Sequence, residues 1–363
     1  MAVAPNSGLL ELAAYKGGDS TLPGFDKVIK LASNENPLGA SPAARAAFIE
    51  ASTKLHLYPD GHARALKAAI GERYGLDPAR IICGAGSDEI FLLLARAYLM
   101  PGDAIVQSEF GFLIYAIAAK AAGADVIVAK DRLHTVDVDA MLAAVTPNTK
   151  LVFIANPNNP TGTYLPSSEV RRLHAGLPEA TMLVIDAAYA EYMRHNDYEA
   201  GVELAGSAPN VIMTRTFSKI HGLAALRVGW GYGAADIIDA LHRVRGPFNV
   251  NTPAQAAATA AIADHEFAAA SVDHNARELA RLEAALDQLG YCYTPSVANF
   301  SLVHFEPEGA FSSEACDRFL RSRGIIARRV AAYGLPDAMR LSVGTTDENS
   351  ALIDALRAFK AQT

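Results

Sequence analysis

Charge is scarce in this sequence and leans to one sign. Only 20% of the 363 residues are charged, and 39 acidic against 32 basic side chains leave a net charge of -7. Such a surface offers no field for a polyanion, which argues against nucleic acid as a partner. Cysteine is rarer still. Cys83, Cys292 and Cys316 are odd in number and far apart, which fits neither a disulfide framework nor a paired-cysteine metal knuckle. The ten histidines form no HxH or HExxH pattern, so no metal is expected. No run approaches the roughly 20 apolar residues that cross a bilayer. The opening MAVAPNSGLLELAAYKGGD has neither the basic head nor the apolar stretch of a secretory signal, and a cytoplasmic location is expected. Repeats, low-complexity tracts and a clear interdomain linker are missing too.

What is present is a core-forming composition, 51% apolar, enough for a large globular unit. The middle of the chain alternates short apolar runs, at 104–106, 124–128, 151–154, 182–185 and 211–213, with alanine-rich helical patterns. Near-continuous apolar strands of this kind predict a mostly parallel sheet covered by helices on both faces, an α/β fold of three αβα layers. Ligands in such sheets bind beyond the carboxyl ends of the strands. After Asn251-Thr-Pro253 come long amphipathic helices and short alternating strands such as 299–304 and 339–343, which predict a smaller α+β domain. The expected division is an N-terminal arm and part of the small domain at 1–49, a large domain at 50–250 and a small domain at 251–363.

Several strand ends carry polar residues of specific types. Asn156-Pro-Asn-Asn-Pro-Thr-Gly162 follows one strand, Asp186-Ala-Ala-Tyr189 another, and Thr216-Phe-Ser-Lys219 a third, with Arg227 eight residues beyond the lysine. Ile81-Ile-Cys-Gly-Ala-Gly-Ser-Asp-Glu89 runs from a strand through small residues into a helix, whose free N–H groups and dipole suit an anion. Taken singly, these read as a turn, a helix cap or arginine partner, and a surface amine. The small-residue loop is no dinucleotide fingerprint, because Glu89 stands where a third glycine belongs. Together they supply an amine, a carboxylate, an asparagine, a tyrosine and a phosphate cradle at one sheet edge. That inventory suits a phosphorylated aldehyde with a ring nitrogen, pyridoxal 5′-phosphate.

On these motifs the sequence resembles the fold-type I pyridoxal-phosphate aminotransferases over almost its whole length. Asn34-Glu-Asn-Pro37, Tyr58-Pro-Asp-Gly61 and 333–340 make it similar to their histidinol-phosphate branch. The resemblance implies an aspartate-aminotransferase-like fold and transamination between L-histidinol phosphate and 2-oxoglutarate in histidine synthesis. It also implies residue roles. Lys219 would form the imine with the cofactor and later shuttle the proton. Asp186 would pair with the pyridine nitrogen, and Asn159 and Tyr189 would bond the ring 3-oxygen. Ala85, Gly86, Ser87, Thr216, Ser218 and Arg227 would hold the phosphate, and Phe110 would stack on the ring. Tyr58 would reach the other subunit's cofactor phosphate, which requires a homodimer. Tyr15, Asn36, Arg340 and Arg328, or adjacent Arg329 in place of Arg328, would meet the substrate. An aromatic amino-acid aminotransferase, an amino-acid phosphate decarboxylase and a non-catalytic ligand-sensing regulator share parts of this pattern. His221 has no assigned role.

Overall fold

The computed structural model describes residues 5, 8–14 and 17–362. Thirteen strands follow in chain order. They are β1 (Ile29–Lys30), β2 (Ile81–Gly84), β3 (Ala104–Ser108), β4 (Asp125–Ala129), β5 (Thr149–Ala155), β6 (Met182–Asp186) and β7 (Val211–Thr216). After them come β8 (Gly229–Gly233), β9 (Cys292–Thr294), β10 (Phe300–His304), β11 (Ile325–Ile326), β12 (Arg328–Val330) and β13 (Leu335–Ser342).

A seven-stranded sheet runs in the order β2-β8-β7-β6-β5-β3-β4. It is the expected α/β sheet with one departure: β8 lies antiparallel to both its neighbours, while the other pairs are parallel. That strand reads Gly-Trp-Gly-Tyr-Gly, a pattern that looks like a turn in sequence. Its alternation is nevertheless a strand's. Trp230 and Tyr232 enter the core on one face, and a Cβ on Gly229 would come within 2.3 Å of the backbone nitrogen of Ser87 on the other. Close packing of a helix start on the strand requires glycine there.

The period of two divides the strand residues between two cores. Ile82, Ile105, Leu151, Phe153, Val184 and Ile212 face one side, with the helices Ser87–Tyr98, Leu113–Ala121 and Ala235–Val244. Cys83, Val106, Val152, Leu183 and Met213 face the other. Each such fully buried aliphatic side chain contributes about 1.5–3 kcal/mol, so the sheet is a rigid platform for whatever its loops carry. Helices Pro42–Ala51 and Thr252–Ala263 also bury alanines in this second core, Ala44 from one and Ala254, Ala257, Ala258 and Ala261 from the other. We place the proposed boundaries of the large domain at the outer ends of these two helices.

A second sheet, β12-β13-β10-β9, is antiparallel throughout. It packs with the helices His265–Gln288, Ser313–Arg321 and Thr346–Lys360 around Leu282, Val303, Leu320, Leu341 and Leu356. The N-terminal segment joins it. β1 pairs in parallel with β11, and the Ser342 backbone N–H donates to Leu31 O at 3.0 Å. Residues 29–36 then lead directly to the large sheet's carboxyl edge. No described helix is long and apolar enough to cross a membrane.

Candidate active site

Register places four strand termini side by side. Asp186 is aligned with Ala155 on one neighbour and Thr214 on the other, and Thr216 and Gly84 are each aligned with Gly229. Above this edge lies a cavity of about 380 Å³. It is walled by both domains and by the segment 32–35.

Lys219 is set by the turn that leaves β7. Phe217 and Ile220 are fully buried on either side of it, and the Ser218 N–H donates to Thr216 Oγ1 at 3.1 Å. With its neighbours pinned, the amine projects into the cavity wall and donates to Ser33 O at 3.1 Å. Burial, then the positive charge of Arg340, brings its pKa down to about 8.

Asp186 ends β6 and is buried. Tyr115 donates to its Oδ2 at 2.7 Å, while Oδ1 is buried with no partner. Burial raises the carboxyl to about 6 against the pull of that hydrogen bond and, more weakly, of the Ala188 backbone N–H and the Lys219 charge. Tyr189, three residues on, accepts at its hydroxyl from Asn34 Nδ2 at 2.9 Å. Asn159 accepts from Arg340 Nη1. Arg340 is buried on β13, donates through Nη2 to Ala32 O at 2.8 Å and has an unpartnered Nε. Arg328, aligned with it on β12, also lines the cavity, and adjacent Arg329 does not.

The anion end is built from the helix start at Ser87, the hydroxyls of Thr216 and Ser218, and Arg227. The guanidinium of Arg227 donates to Ser218 Oγ at 3.0 Å and pairs with Asp88 at 3.1 Å. Gly86 makes room for it. Its φ is +84°, and a Cβ there would sit 2.4 Å from Arg227 Nη2. Gly86→Ala should therefore weaken binding of a phosphomonoester about tenfold, through displacement of a charge-assisted donor. Calorimetric titration reads this; unchanged affinity would show that the arginine is not part of the cradle.

Several sequence expectations are corrected. Phe112, and not Phe110, lines the cavity; the Phe110 ring packs on His134 at 5.6 Å and its carbonyl accepts from Asn158. Asn36 does not face the cavity. Its amide nitrogen donates to Ile220 O and Ser271 Oγ, and its Oδ1 accepts from the Leu38 N–H, so it ties the arm down. The Ala85 N–H is engaged by Glu89 at 2.6 Å and that of Gly86 by Gly84 O, leaving Ser87 and Asp88 at the cavity. Tyr58, expected to act in the other subunit's site and not in this one, is 83% exposed and stacked on Phe248, outside this chain's own cavity. Tyr15 lies outside the described residues. His221 is buried against Phe217, and burial lowers its pKa to about 4. Asn34, Phe112 and Tyr115 also belong to the site; the sequence carries a signal only for Asn34, through its place in Asn34-Glu-Asn-Pro37.

This arrangement fits the cofactor expected from sequence on two counts. The orphaned Asp186 Oδ1 is an acceptor for a ring N–H, and the Gly86–Arg227 cradle admits an anion. The family model for aminotransferase class I and II matches residues 26–356. The chain belongs to this family. Among aminotransferases of the family, a histidinol-phosphate aminotransferase of Maricaulis maris is 53% identical, with 99% of both chains covered. One of Rhodospirillum rubrum is 54% identical, covering 98% of this chain and 97% of the relative. The crystal structure of histidinol-phosphate aminotransferase from Sinorhizobium meliloti in complex with pyridoxal-5′-phosphate superposes with a TM-score of 0.89 at 28% identity, covering 99% of this chain and 98% of that one.

Proposed function

We propose that this aminotransferase moves an amino group between L-histidinol phosphate and 2-oxoglutarate, giving imidazole-acetol phosphate and glutamate, with pyridoxal 5′-phosphate as cofactor, in the cytoplasm. The observation that carries this reading is one cavity holding a depressed amine, Lys219, an unpartnered carboxylate oxygen on Asp186, and two arginines, Arg340 and Arg328. The choice of substrate is supported by the relatives that share more than half of its sequence.

Asp186 would hold the ring nitrogen, Asn159 and Tyr189 the ring oxygen, Phe112 one ring face, and Ser87, Thr216, Ser218 and Arg227 the phosphate. When bound, the cofactor supplies a protonated ring that accepts the electron pair left as the substrate's α-proton departs. Lys219 Nζ takes that proton. Its pKa of about 8 leaves a useful neutral fraction near pH 7. Arg340, with Arg328, binds the oxyanion of whichever substrate is present, the carboxylate of glutamate or the phosphate of histidinol phosphate. A planar guanidinium accommodates both.

In this reading the enzyme is a homodimer. Phe48, Ile49, Leu55, Leu57 and Tyr58 are exposed along one stretch, with Phe248 stacked on Tyr58. A second copy would cover this apolar surface, and Tyr58 would reach the phosphate in the partner's site.

Steady-state assays with 2-oxoglutarate test the substrate. The expected result is a kcat/KM for histidinol phosphate well above that for phenylalanine; the reverse order would assign the chain to aromatic amino acids.

A further inference from the structure

Asp186 is held by a side chain that no motif contains. Tyr115 sits in helix Leu113–Ala121, fully buried, with its ring stacked on Phe153 at 4.7 Å and edge-on to Phe91 and Phe112. Three aromatic contacts leave the hydroxyl one direction, and it donates to Asp186 Oδ2 at 2.7 Å. The other carboxylate oxygen has no partner. A buried carboxylate with one oxygen satisfied and one open is a receptor for a single further donor.

We infer that Tyr115 is a positioning residue: its hydroxyl fixes Asp186 and stabilises the ionised carboxylate, leaving the second oxygen for the cofactor's ring N–H. This rests on the cofactor reading proposed above. Tyr115 acts only as donor, because burial and the adjacent Asp186 raise its own pKa far above the usual phenol range. The other ionisable groups around the pair are Asp88, which raises Asp186, Lys219, which lowers it, the buried phenols Tyr189 and Tyr333, and the partly buried Tyr198. None of these groups is hydrogen-bonded to Asp186, so removing the Tyr115 hydroxyl takes away the carboxylate's side-chain donor and leaves only the weaker help of the Ala188 backbone N–H.

The sign of the effect follows. A carboxylate that loses a hydrogen bond takes up a proton at higher pH. A probe that binds the ionised carboxylate then loses affinity at higher pH as well.

The test uses the apo form of the full chain and 4-deoxypyridoxine 5′-phosphate, which has the ring and phosphate but no aldehyde to react with Lys219. Its dissociation constant is measured from pH 5 to 9 by calorimetry. In wild type the affinity should fall toward acid. In Tyr115→Phe that acidic limb should move up by about one pH unit, the scale of a hydrogen bond to a charged group. The phosphate's own ionisation is common to both proteins and cancels in the comparison. In the Asp186→Asn background, the same removal of the hydroxyl should produce no shift. 3-Fluorotyrosine placed at position 115, which keeps the ring and strengthens the donor, should move the limb down and covers the case in which Tyr115→Phe does not fold.

An acidic limb that stays in place in the phenylalanine or the fluorotyrosine protein would overturn the inference. Failure of the wild type to bind the probe at all would instead overturn the cofactor reading.

Discussion

Lys219→Ala is expected to reduce transamination by about four orders of magnitude or more, the scale of losing a positioned acid–base group together with a covalent anchor. Lys219 is the one lysine in the cavity wall among the described residues, so no neighbour replaces it. The fold should survive. Among the described residues its amine makes a single hydrogen bond, to Ser33 O, and no ion pair, so truncation removes a desolvated cation rather than a structural tie. Borohydride treatment of the cofactor-loaded protein should fix the cofactor covalently to wild type and not to the variant. Turnover within tenfold of wild type would sink the assignment of this amine.

The second large effect is at the opposite end of the cavity. Arg340→Ala should lower kcat/KM for both histidinol phosphate and glutamate by roughly two hundredfold, or about 3 kcal/mol, as for other buried charge-assisted contacts. Arg340→Lys should recover only part, since an ammonium cannot reproduce the fork that meets Asn159 and the Ala32 carbonyl together. A loss confined to one substrate would refute a shared oxyanion site. The same substitution has an electrostatic signature. Arg340 helps hold Lys219 near 8, so in Arg340→Ala the amine should keep its proton to higher pH. The pH profile of its chemical modification in the apoprotein should move upward, while burial keeps it below the value of a free lysine.

Sequence made the strand-end residues legible because type and place coincide. Asp186 and Lys219 follow apolar runs whose register needs no tertiary information, and both reach the cavity. Errors arose where neighbours compete. Phe110 and Phe112 both follow β3, and the turn that decides which one faces the cavity is not written in residue type. Asn34 and Asn36 share one turn; the positive φ of Asn34, 56°, sends its side chain to Tyr189 and Ser342 while Asn36 is left to the scaffold. Arg328 and Arg329 are adjacent on a strand, so a slip of one position exchanges faces. Tyr115 was invisible for another reason. In an apolar helix it reads as core, and only the tertiary contact reveals that its hydroxyl has work to do.

The pairing of the N-terminal segment with strands near the far end of the chain has a consequence for biogenesis. Among the described residues, β1 pairs with Ile325–Ile326, Leu31 bonds Ile326 and Ser342, and the Asn34 carbonyl accepts from Asn299. During translation these residues emerge long before their partners and must wait for them before docking, a separation that slows closure of the structure. The large sheet can assemble on the ribosome meanwhile, domain by domain. The segment that carries Ser33, the contact of Lys219, is thus seated late, so the newly made enzyme acquires its finished pocket only once residues as far as Ser342 have emerged.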